Sequence, residues 1–547
     1  MKIIIPMSGR GQRFIDKGYT VPKPLIEVDG MPIIEHIVRQ FDPEDSFLFI
    51  CANDHLETTP MRSILQRIAP NGTIIGIAPH KLGPVHAVQQ VYDYIDDEEE
   101  VIVNYCDFGW YWNYGDFKKH THDRKADGAV PAYRGFHPHM LGTTNYAFMR
   151  DKDQWMLEIR EKQPFTDNRM AEYASSGTYY FRTGGLMKHY MDLTVARGLQ
   201  VKGEYYVSVV YNLLVEDGLK VSIYEIQHML QWGTPEDVED YLYHSDYFKK
   251  LMQHHVFESP LAETIQLIPL AGEGMRFQKE GYETPKPLLP LSGRTMIEQA
   301  FDCYPKAAHE RFVVLQRHCD AFGIDDLLKK HFPKAQIIRL DHVTEGQAIT
   351  ASLGLEAEDS DRPLLVAACD NGLLIDEARY TQALLDPEVD GLCFSFRNNP
   401  TVGKNPNAYG YLKTDSNDRI TGVSVKKPIS DCPMSDHAIV GAFFFKKTSD
   451  FFEALSDLVE ANRRVNGEFY IDSMMGVLAE SGKCYKAFEV PYESWGTPND
   501  YKTYQYWQSF FHKAFFHPYA IDGDPMVPDE EKEAFIASVC QFSQPNV

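Results

Sequence analysis

Short apolar runs alternate with amphipathic stretches along most of the chain. The run KIIIPM precedes the helical pattern MPIIEHIVRQF, and TIQLIPL precedes RTMIEQAFDCY. Further apolar runs, SFLFICA, EEVIVNYCD, RFVVLQR and PLLVAACD, continue the alternation. Strands that alternate with helices predict a parallel or mixed sheet flanked by helices. We therefore expect a Rossmann-like α/β core.

The chain also repeats itself. SGRGQRF at residues 8–14 returns as AGEGMRF at residues 271–277. Five further pairs keep a spacing of 263 residues, and a sixth is spaced by 264. These pairs are Gly11 and Gly274, Lys23 and Lys286, Gly83 and Gly346, Asp107 and Asp370, Trp232 and Trp495, and finally Glu204 and Glu468. A nearly constant register over so long a span indicates a tandem duplication.

The repeat predicts the domain organisation. We expect a first domain over residues 1–245, a helical connector over 246–262 that ends at a Ser-Pro break, and a second domain over 263–505. Residues 506–547 would form a C-terminal helical tail that packs on the second domain. A chain of 547 residues is too long for one ordinary hydrophobic core, which agrees with two domains.

The composition of the chain disfavours some classes of binding partner. The formal net charge is −24, so nucleic acid and anionic membrane surfaces are disfavoured as partners. The nine cysteines are scattered without a CxxC pair, which argues against a disulfide framework or a zinc site and favours a reducing compartment. No apolar stretch approaches the roughly 18 residues of a membrane span. We expect a soluble cytoplasmic protein that binds small molecules, and we leave homo-oligomerisation open.

A glycine-rich turn follows the first predicted strand. Ser8, Gly9 and Gly11 are small enough for backbone N–H groups to approach a triphosphate, and Arg13 and Lys23 then supply cations. The third glycine of the dinucleotide fingerprint is absent, which disfavours hydride transfer. A surface loop with solvated basic residues is the alternative, but the second copy keeps the same spacing. Its counterparts are Gly272, Gly274, Arg276 and Lys286.

The combination GxGxRF followed by PKPL resembles the signature of the sugar-phosphate nucleotidyltransferase family, which includes nucleotide-sugar pyrophosphorylases and cytidylyltransferases. The likeness covers about 500 residues across both copies, and NYCDFGW and EYASSGTYYF are most similar to capsule and lipopolysaccharide-type members. It implies two tandem Rossmann-like, GT-A-like domains with mixed, mostly parallel sheets. By the same resemblance Arg13 and Arg276 contact the β and γ phosphates, and Lys23 and Lys286 stabilise charge at the α-phosphorus.

Two further motifs gain roles from this resemblance. Gly83 in HKLGPVHAV and Gly346 in VTEGQAITA are expected to let the backbone contact the nucleobase. Asp107 and Asp370 follow apolar strands, at the sheet edge where ligands bind in open α/β sheets. A carboxylate there can hold Mg²⁺, although an aspartate that caps a turn is the common alternative.

The second metal aspartate of the family is missing from both copies. Gln231 stands at its position in the first copy and Ser494 in the second. Mg²⁺ could then be held by one aspartate, phosphates and water. An approach by Glu204 or Glu468 is the other alternative, and the sequence leaves the two open.

The acceptor pocket is expected to separate the two halves. In LEIREKQPF and EYASSGTYYF the resemblance implies that Glu161, Lys162 and Gly177 hold the acceptor. The corresponding VSVKKP and IVGAFFF offer Lys426, Lys427 and Gly441, without the glutamate. We interpret this as replacement of an acid by a base. The second half would then bind a different, more anionic acceptor, or would have lost activity.

The expected reaction is attack by an acceptor phosphate oxygen on the α-phosphorus of a nucleoside triphosphate, with pyrophosphate as the leaving group. It needs positioning and charge neutralisation rather than a general base. CTP, UTP and dTTP, with a phosphorylated sugar or alcohol, fit the motifs. One rival is a glycosyltransferase, which would need a DxD-like acidic pair that NYCDFGW and AACDNGL lack. The other is one catalytic half with a regulatory or scaffold half.

Overall fold

A computed structural model describes residues 1–540. Contacts within it divide the described chain into two compact units. The first comprises Met1–Leu242 and Lys513–His517, and the second comprises Tyr243–His512 and Pro518–Cys540.

The first unit is built on fourteen strands within its described residues. They are β1 (Lys2–Met7), β2 (Glu27–Val28), β3 (Met31–Pro32), β4 (Ser46–Ala52), β5 (Thr73–Ile77), β6 (Val101–Asn104), β7 (Phe108–Tyr111), β8 (Gly128–Tyr133), β9 (Ala147–Lys152), β10 (Trp155–Glu161), β11 (Tyr173–Ser175), β12 (Thr178–Phe181), β13 (Val221–Glu225) and β14 (His228–Gln231). The helices are α1 (Gln12–Asp16), α2 (Ile33–Val38), α3 (Asn53–Thr58), α4 (Met61–Ile68), α5 (Pro84–Gln89), α6 (Tyr114–Asp123), α7 (Gly184–Ala196), α8 (Val207–Glu216) and α9 (Pro235–Leu251), which runs past residue 242.

Ten of these strands form one mixed sheet in the order β11-β9-β10-β13-β8-β12-β6-β1-β4-β5. β1 lies parallel to both β4 and β6, with Ile4 opposite Leu48 on one side and Val103 on the other. These side chains are almost fully buried, as expected for β-branched and apolar residues in a central strand covered on both faces. The parallel strands therefore end at a common edge, where the loops after β1 and β6 meet.

The second unit repeats this arrangement. Its strands are β15 (Ile265–Pro269), β16 (Pro290–Leu291), β17 (Arg294–Thr295), β18 (His309–Leu315), β19 (Gln336–Leu340), β20 (Leu364–Val366), β21 (Asn371–Leu373), β22 (Gly391–Phe396), β23 (Gly410–Thr414), β24 (Ile420–Val425), β25 (His437–Phe445), β26 (Tyr485–Glu489) and β27 (Tyr492–Ser494). Its helices are α10 (Met275–Lys279), α11 (Met296–Phe301), α12 (Gln316–Phe322), α13 (Ile324–His331), α14 (Gln347–Ser352), α15 (Glu377–Leu385), α16 (Pro400–Lys404), α17 (Thr448–Glu460), α18 (Ile471–Glu480), α19 (Pro498–Lys513) and α20 (Asp529–Cys540).

The strand order of the second sheet matches that of the first. The path β19-β18-β15-β20-β25-β22-β26 reproduces β5-β4-β1-β6-β12-β8-β13. Off this path, β23 pairs with β24 and β25. The predicted fold class, two tandem Rossmann-like domains with mixed sheets, is confirmed.

The predicted connector, residues 246–262, is only partly helical. α9 ends at Leu251, and Phe257 and Ser259 then exchange backbone hydrogen bonds with Lys306 at 2.8 and 2.9 Å. The backbone groups of this segment are therefore satisfied by a neighbouring chain segment instead of by a helix.

The described part of the tail is mostly helical, through α19 and α20. Most of it belongs to the second unit, whereas Lys513–His517 belongs to the first. Within the first unit Lys513 donates a hydrogen bond to Gln227 at 2.7 Å. Residues 541–547 of the predicted tail lie outside the described residues.

Candidate active site

The glycine-rich turn takes the same backbone conformation in both units. Gly11 and Gly274 precede α1 and α10 in the left-handed region, with φ of 63° and 65°. A Cβ atom on Gly11 would lie 3.4 Å from the Cβ of Lys23. The turn is therefore held against the short 3-10 helix Lys23–Leu25, so that the turn and the PKPL lysine lie together.

A lysine-aspartate pair stands at the strand end in each unit. The ammonium group of Lys23 donates to Asp107 at 2.7 Å, and that of Lys286 donates to Asp370 at 2.6 Å. Burial opposes the charge on Lys23, but the adjacent Asp107 carboxylate favours it, and the pKa of Lys23 lies above its ordinary value. Lys23 is therefore a cation at neutral pH, in a site largely shielded from water.

The predicted residues of the first copy meet in one cavity of about 380 Å³. Its lining includes Gly11, Arg13, Lys23, Asp107, Glu161, Lys162 and Gly177. The Arg13 side chain is exposed, and within residues 1–540 it forms no hydrogen bond or ion pair. Its guanidinium group is thus available to an anion that enters the cavity.

The wall that the predicted acceptor residues form carries two hydrogen-bonded groups. Lys162, with φ of 58°, donates to the Tyr206 hydroxyl at 2.6 Å, and that hydroxyl donates to Glu204. Glu161 accepts a hydrogen bond from Ser208 at 2.6 Å. Burial raises the pKa of Glu161, although the Ser208 hydrogen bond and Lys162 work against that rise. A part-buried carboxylate and a lysine therefore share one wall.

An adjoining cavity of about 270 Å³ is lined by Ser8, Gly9 and Gly83 among others. Gly83 has φ of 88°, and a Cβ there would lie 2.7 Å from the Tyr205 carbonyl oxygen. Gly346 has φ of 128°, and its Cβ would lie 2.6 Å from the Phe469 carbonyl oxygen. Only glycine fits either position without moving backbone.

The second copy has a corresponding cavity of about 420 Å³. Its lining includes Gly274, Arg276, Lys286, Asp370, Lys426 and Gly441. Gly272 lies in the turn before α10, with open space at its Cβ position. The second copy thus brings together the same kinds of groups as the first.

Lys427 departs from the prediction. Its side chain is exposed and lies outside the cavity that Lys426 lines. Lys426 is the structural counterpart of Lys162, because both have a left-handed backbone and both donate their N–H at 3.0 Å to the carbonyl of a tyrosine, Tyr409 or Tyr146. Val425 therefore takes the place of Glu161.

The interpretation that a base replaces the acid is therefore wrong, because the second cavity keeps a carboxylate on another element. Asp472, on α18, lines this cavity, and its counterpart on α8 is Ser208. Sequence reasoning missed Asp472 and Tyr206. A full alignment of GEYYVS with GEFYID would have paired Ser208 with Asp472 and Tyr206 with Tyr470.

In each copy, the residue that stands at the position of the missing second metal aspartate donates a hydrogen bond to an aspartate six residues further along the chain. The Gln231 amide donates to Asp237 at 2.9 Å, and the Ser494 hydroxyl donates to Asp500 at 3.1 Å. The Gln231 amide oxygen is buried and has no hydrogen-bond partner within the described residues. The part of the chain that the structure describes contains no cluster of three or more His, Cys, Asp or Glu side chains suited to a metal ion.

Comparison with known proteins agrees with this fold and site. The profile of the MobA-like NTP transferase domain matches residues 3–165 and again residues 267–394. The matches cover just over half of the chain, and the chain therefore belongs to this family and contains its domain twice. The resemblance to sugar-phosphate nucleotidyltransferases in two tandem copies is thereby confirmed.

Curated relatives share one region with this chain. The "Bifunctional protein GlmU" of Streptococcus agalactiae serotype V is 27% identical over 231 residues, which cover 41% of this chain and 46% of that protein. The protein of the same name from Clostridioides difficile strain 630 is 26% identical over 233 residues, with the same coverage of 41% and 46%. The chain thus spans about half the length of these relatives.

Among solved structures, a nucleoside-diphosphate-sugar pyrophosphorylase from Vibrio cholerae RC9 is 23% identical, with a TM-score of 0.37. The match covers 44% of this chain and 99% of that one. Within residues 1–540, none of the helices combines the length and apolar character needed to cross a membrane.

Proposed function

We propose that each half transfers a nucleotidyl group from a nucleoside triphosphate to a phosphorylated sugar or alcohol and releases pyrophosphate. The observation that carries the proposal is the part-buried lysine-aspartate pair beside an exposed arginine in both cavities, with the predicted acceptor residues lining the same cavity. This combination suits charge neutralisation during phosphoryl transfer. The GlmU relatives and the NTP transferase domain support the same class of reaction.

The residues have separable tasks in this proposal. Arg13 binds the terminal phosphates, and Lys23 faces the charge that develops as the α-phosphorus is attacked. Gly83 leaves the backbone free for the nucleobase. Glu161 and Lys162 orient the acceptor so that its phosphate oxygen, already a nucleophile, lies in line with the leaving pyrophosphate.

The first site fits Mg²⁺ as an expected cofactor. Asp107 supplies a carboxylate, and the unpartnered Gln231 amide oxygen lines the same cavity. Mg²⁺ favours oxygen ligands and tolerates few from protein when phosphates and water complete the shell. When bound, it would neutralise phosphate charge and act as a Lewis acid. Asp107 also positions Lys23, so its carboxylate serves both the ammonium group and the cation.

The product and its setting extend the proposal. The similarity of NYCDFGW and EYASSGTYYF to capsule and lipopolysaccharide-type enzymes supports a role in cell-surface polysaccharide precursor synthesis. The nine cysteines are all free thiols, which supports a reducing compartment such as the cytoplasm.

The test uses the full chain with one half silenced at a time. Lys23→Ala leaves only the second half active, and Lys286→Ala leaves only the first. CTP, UTP and dTTP are each combined with hexose 1-phosphates and alditol phosphates, and pyrophosphate release is measured. We expect each half to turn over at least one combination. Transfer from a nucleotide sugar without pyrophosphate release would contradict the proposal and favour a glycosyltransferase.

A further inference from the structure

The two acceptor walls hold a carboxylate in different places, part-buried in the first unit and buried in the second. In the first unit Glu161 projects from the end of β10, and Ser208 is the second residue of α8. In the second unit the matching strand residue is Val425, and the second residue of α18 is Asp472. The carboxylate has thus moved from the strand side of the cavity to the helix side.

A third position accommodates the move. Gly410, at the start of β23, stands where the first unit has Ala147 at the start of β9. A Cβ atom on Gly410 would lie 2.4 Å from the Oδ2 atom of Asp472. That separation is far below van der Waals contact, so an alanine at this position would displace the carboxylate. The residues Gly410, Val425 and Asp472 therefore form a matched set, in which the glycine leaves the space that the Asp472 carboxylate occupies.

Within the described residues, the Asp472 carboxylate receives a hydrogen bond from its own backbone N–H and none from a side chain. The side chain is 9% exposed and lines the cavity, and no side chain within residues 1–540 donates a hydrogen bond to it. Lys426 is the cation that favours its charge, but the Lys426 ammonium group donates to the Ala408 carbonyl oxygen. Glu161, by contrast, is held by Ser208 at 2.6 Å.

An ionised carboxylate that receives too few hydrogen bonds is costly to bury. Burial raises the pKa of Asp472 to about 6, so the group is still mostly ionised at neutral pH. A ligand that donates a hydrogen bond would remove this cost, whereas a ligand that lacks a donor would leave it in place. The carboxylate is therefore suited to select among ligands.

We infer that Asp472 selects the acceptor of the second half by accepting a hydrogen bond from a hydroxyl group of a phosphorylated polyhydroxy compound. This inference rests on the proposed function. The Asp472 carboxylate accepts this hydrogen bond from the helix side of its cavity, whereas Glu161 contacts its acceptor from the strand side. The two halves thus read hydroxyl groups on different sides of their acceptors.

The surroundings favour a hydroxyl over an ammonium group. Lys426 and Arg276 line the same cavity and would repel a cationic acceptor. The ring of Tyr470, which could cap an ammonium group, already has the Lys426 ammonium group 5.8 Å from its centroid. A neutral hydroxyl donor meets neither obstacle.

The experiment uses the full chain with Lys23→Ala, so that turnover reports the second half. Glucose 1-phosphate, its monodeoxy forms, ribitol 5-phosphate and phosphocholine are supplied with each nucleotide, and pyrophosphate release and thermal stabilisation are measured. We expect Asp472→Asn to lower kcat/KM for the preferred hydroxylated acceptor about 100-fold. Discrimination against the corresponding deoxy compound should disappear in the same variant.

Two controls separate recognition from folding. Asp431→Asn removes an equal charge from an exposed site and should change neither turnover nor discrimination. Asp472→Asn should itself be at least as stable as its parent, because it removes a buried charge.

A transplant of Ala147→Gly, Glu161→Val and Ser208→Asp, made with Lys286→Ala, should move the first half toward the acceptor preference of the second.

The outcomes distinguish the two proposals. Turnover that depends on Lys286 but discriminates equally well in Asp472→Asn would overturn the inference and leave the proposed function intact. A preference for phosphocholine that Asp472→Asn abolishes would overturn the hydroxyl assignment. If no compound gives turnover or a stabilisation that requires Asp472, the inference is wrong. Absence of any turnover sensitive to Lys286 would further contradict the proposed activity of this half.

Discussion

The residues predicted to bind the nucleotide are of the same kinds and similarly placed in the two halves, whereas the residues predicted to bind the acceptor differ. The lysine-aspartate distances are 2.7 and 2.6 Å, and the glycine turns differ in φ by only a few degrees. On the acceptor side, Glu161 with Ser208 in one half corresponds to Val425 with Asp472 in the other. In the proposed function, a duplicated domain thus keeps its phosphate-binding groups while one carboxylate of the acceptor wall changes position.

The largest expected effect tests the shared side. Lys23→Ala should lower kcat of the first half about 1000-fold, because in the proposed reaction the part-buried ammonium group faces the developing phosphate charge. Lys286→Ala should do the same to the second half. Pyrophosphate release with an acceptor specific to each half measures the two effects separately. Lys17→Ala and Lys279→Ala, on exposed lysines of the same segments, are the matched controls. Comparable losses in the controls would refute the role of the buried lysines.

The next prediction tests the raised pKa of Asp472, which distinguishes the second acceptor wall from the first. The pKa of Asp472 is raised from 3.8 to about 6, so the cost of its burial is absent below the unfolded pKa and complete above the folded one. The full cost is about 3 kcal/mol. Wild-type protein should therefore lose stability relative to Asp472→Asn as the pH rises, by about 1 kcal/mol between about pH 5 and about pH 8.

Hydrogen-exchange mass spectrometry can measure this because it follows peptides of α18 without averaging over the first half. Lys426, Glu468 and Arg276 also face this region, and they are common to wild type and variant. Asp431→Asn should show no such dependence. A stability difference that stays constant with pH would mean that Asp472 titrates as an ordinary aspartate.

Another effect concerns the cation. Asp107→Asn should raise the Mg²⁺ concentration needed for half-maximal activity of the first half about 10-fold to 100-fold. The amide keeps one oxygen but loses the charge that attracts the cation. Activity is titrated with Mg²⁺ in the Lys286→Ala background, with Asp93→Asn on an exposed aspartate as the control. Full activity in excess chelator would exclude a divalent cation from the reaction.

Periodicity and the repeat were sufficient to predict the sheets and the strand-end aspartates, because those features depend on local pattern and constant spacing. The acceptor wall was harder to predict. Lys427 follows Lys426 in sequence, but the left-handed backbone at Lys426 turns the strand end, so that only the first lysine lines the cavity. Asp472 could not be assigned from the strand motif, because its carboxylate reaches the cavity from a helix about 46 residues further on.

A last difference lies in the adjoining cavity of the first half, which Gly83 lines: His80 there corresponds to Val343 of the second half. The His80 Nδ1 atom accepts a hydrogen bond from the Leu82 N–H at 3.2 Å, so the proton of the neutral ring is on Nε2. Burial lowers the pKa of His80 and keeps the ring neutral at pH 7. Its Nε2 atom is buried and has no hydrogen-bond partner within the described residues.

His80 therefore offers the first half a hydrogen-bond donor that Val343 cannot supply. If that donor reads a nucleobase, His80→Val should raise KM for the preferred nucleotide about 10-fold in the Lys286→Ala background, with little change in kcat. The preference among CTP, UTP and dTTP should weaken with it, because a lost base contact affects the nucleotides unequally. His189→Val, on an exposed histidine, is the control. Unchanged KM and base preference would show that the nucleotide sides are equivalent here as well, and that selectivity between the halves resides in the acceptor walls alone.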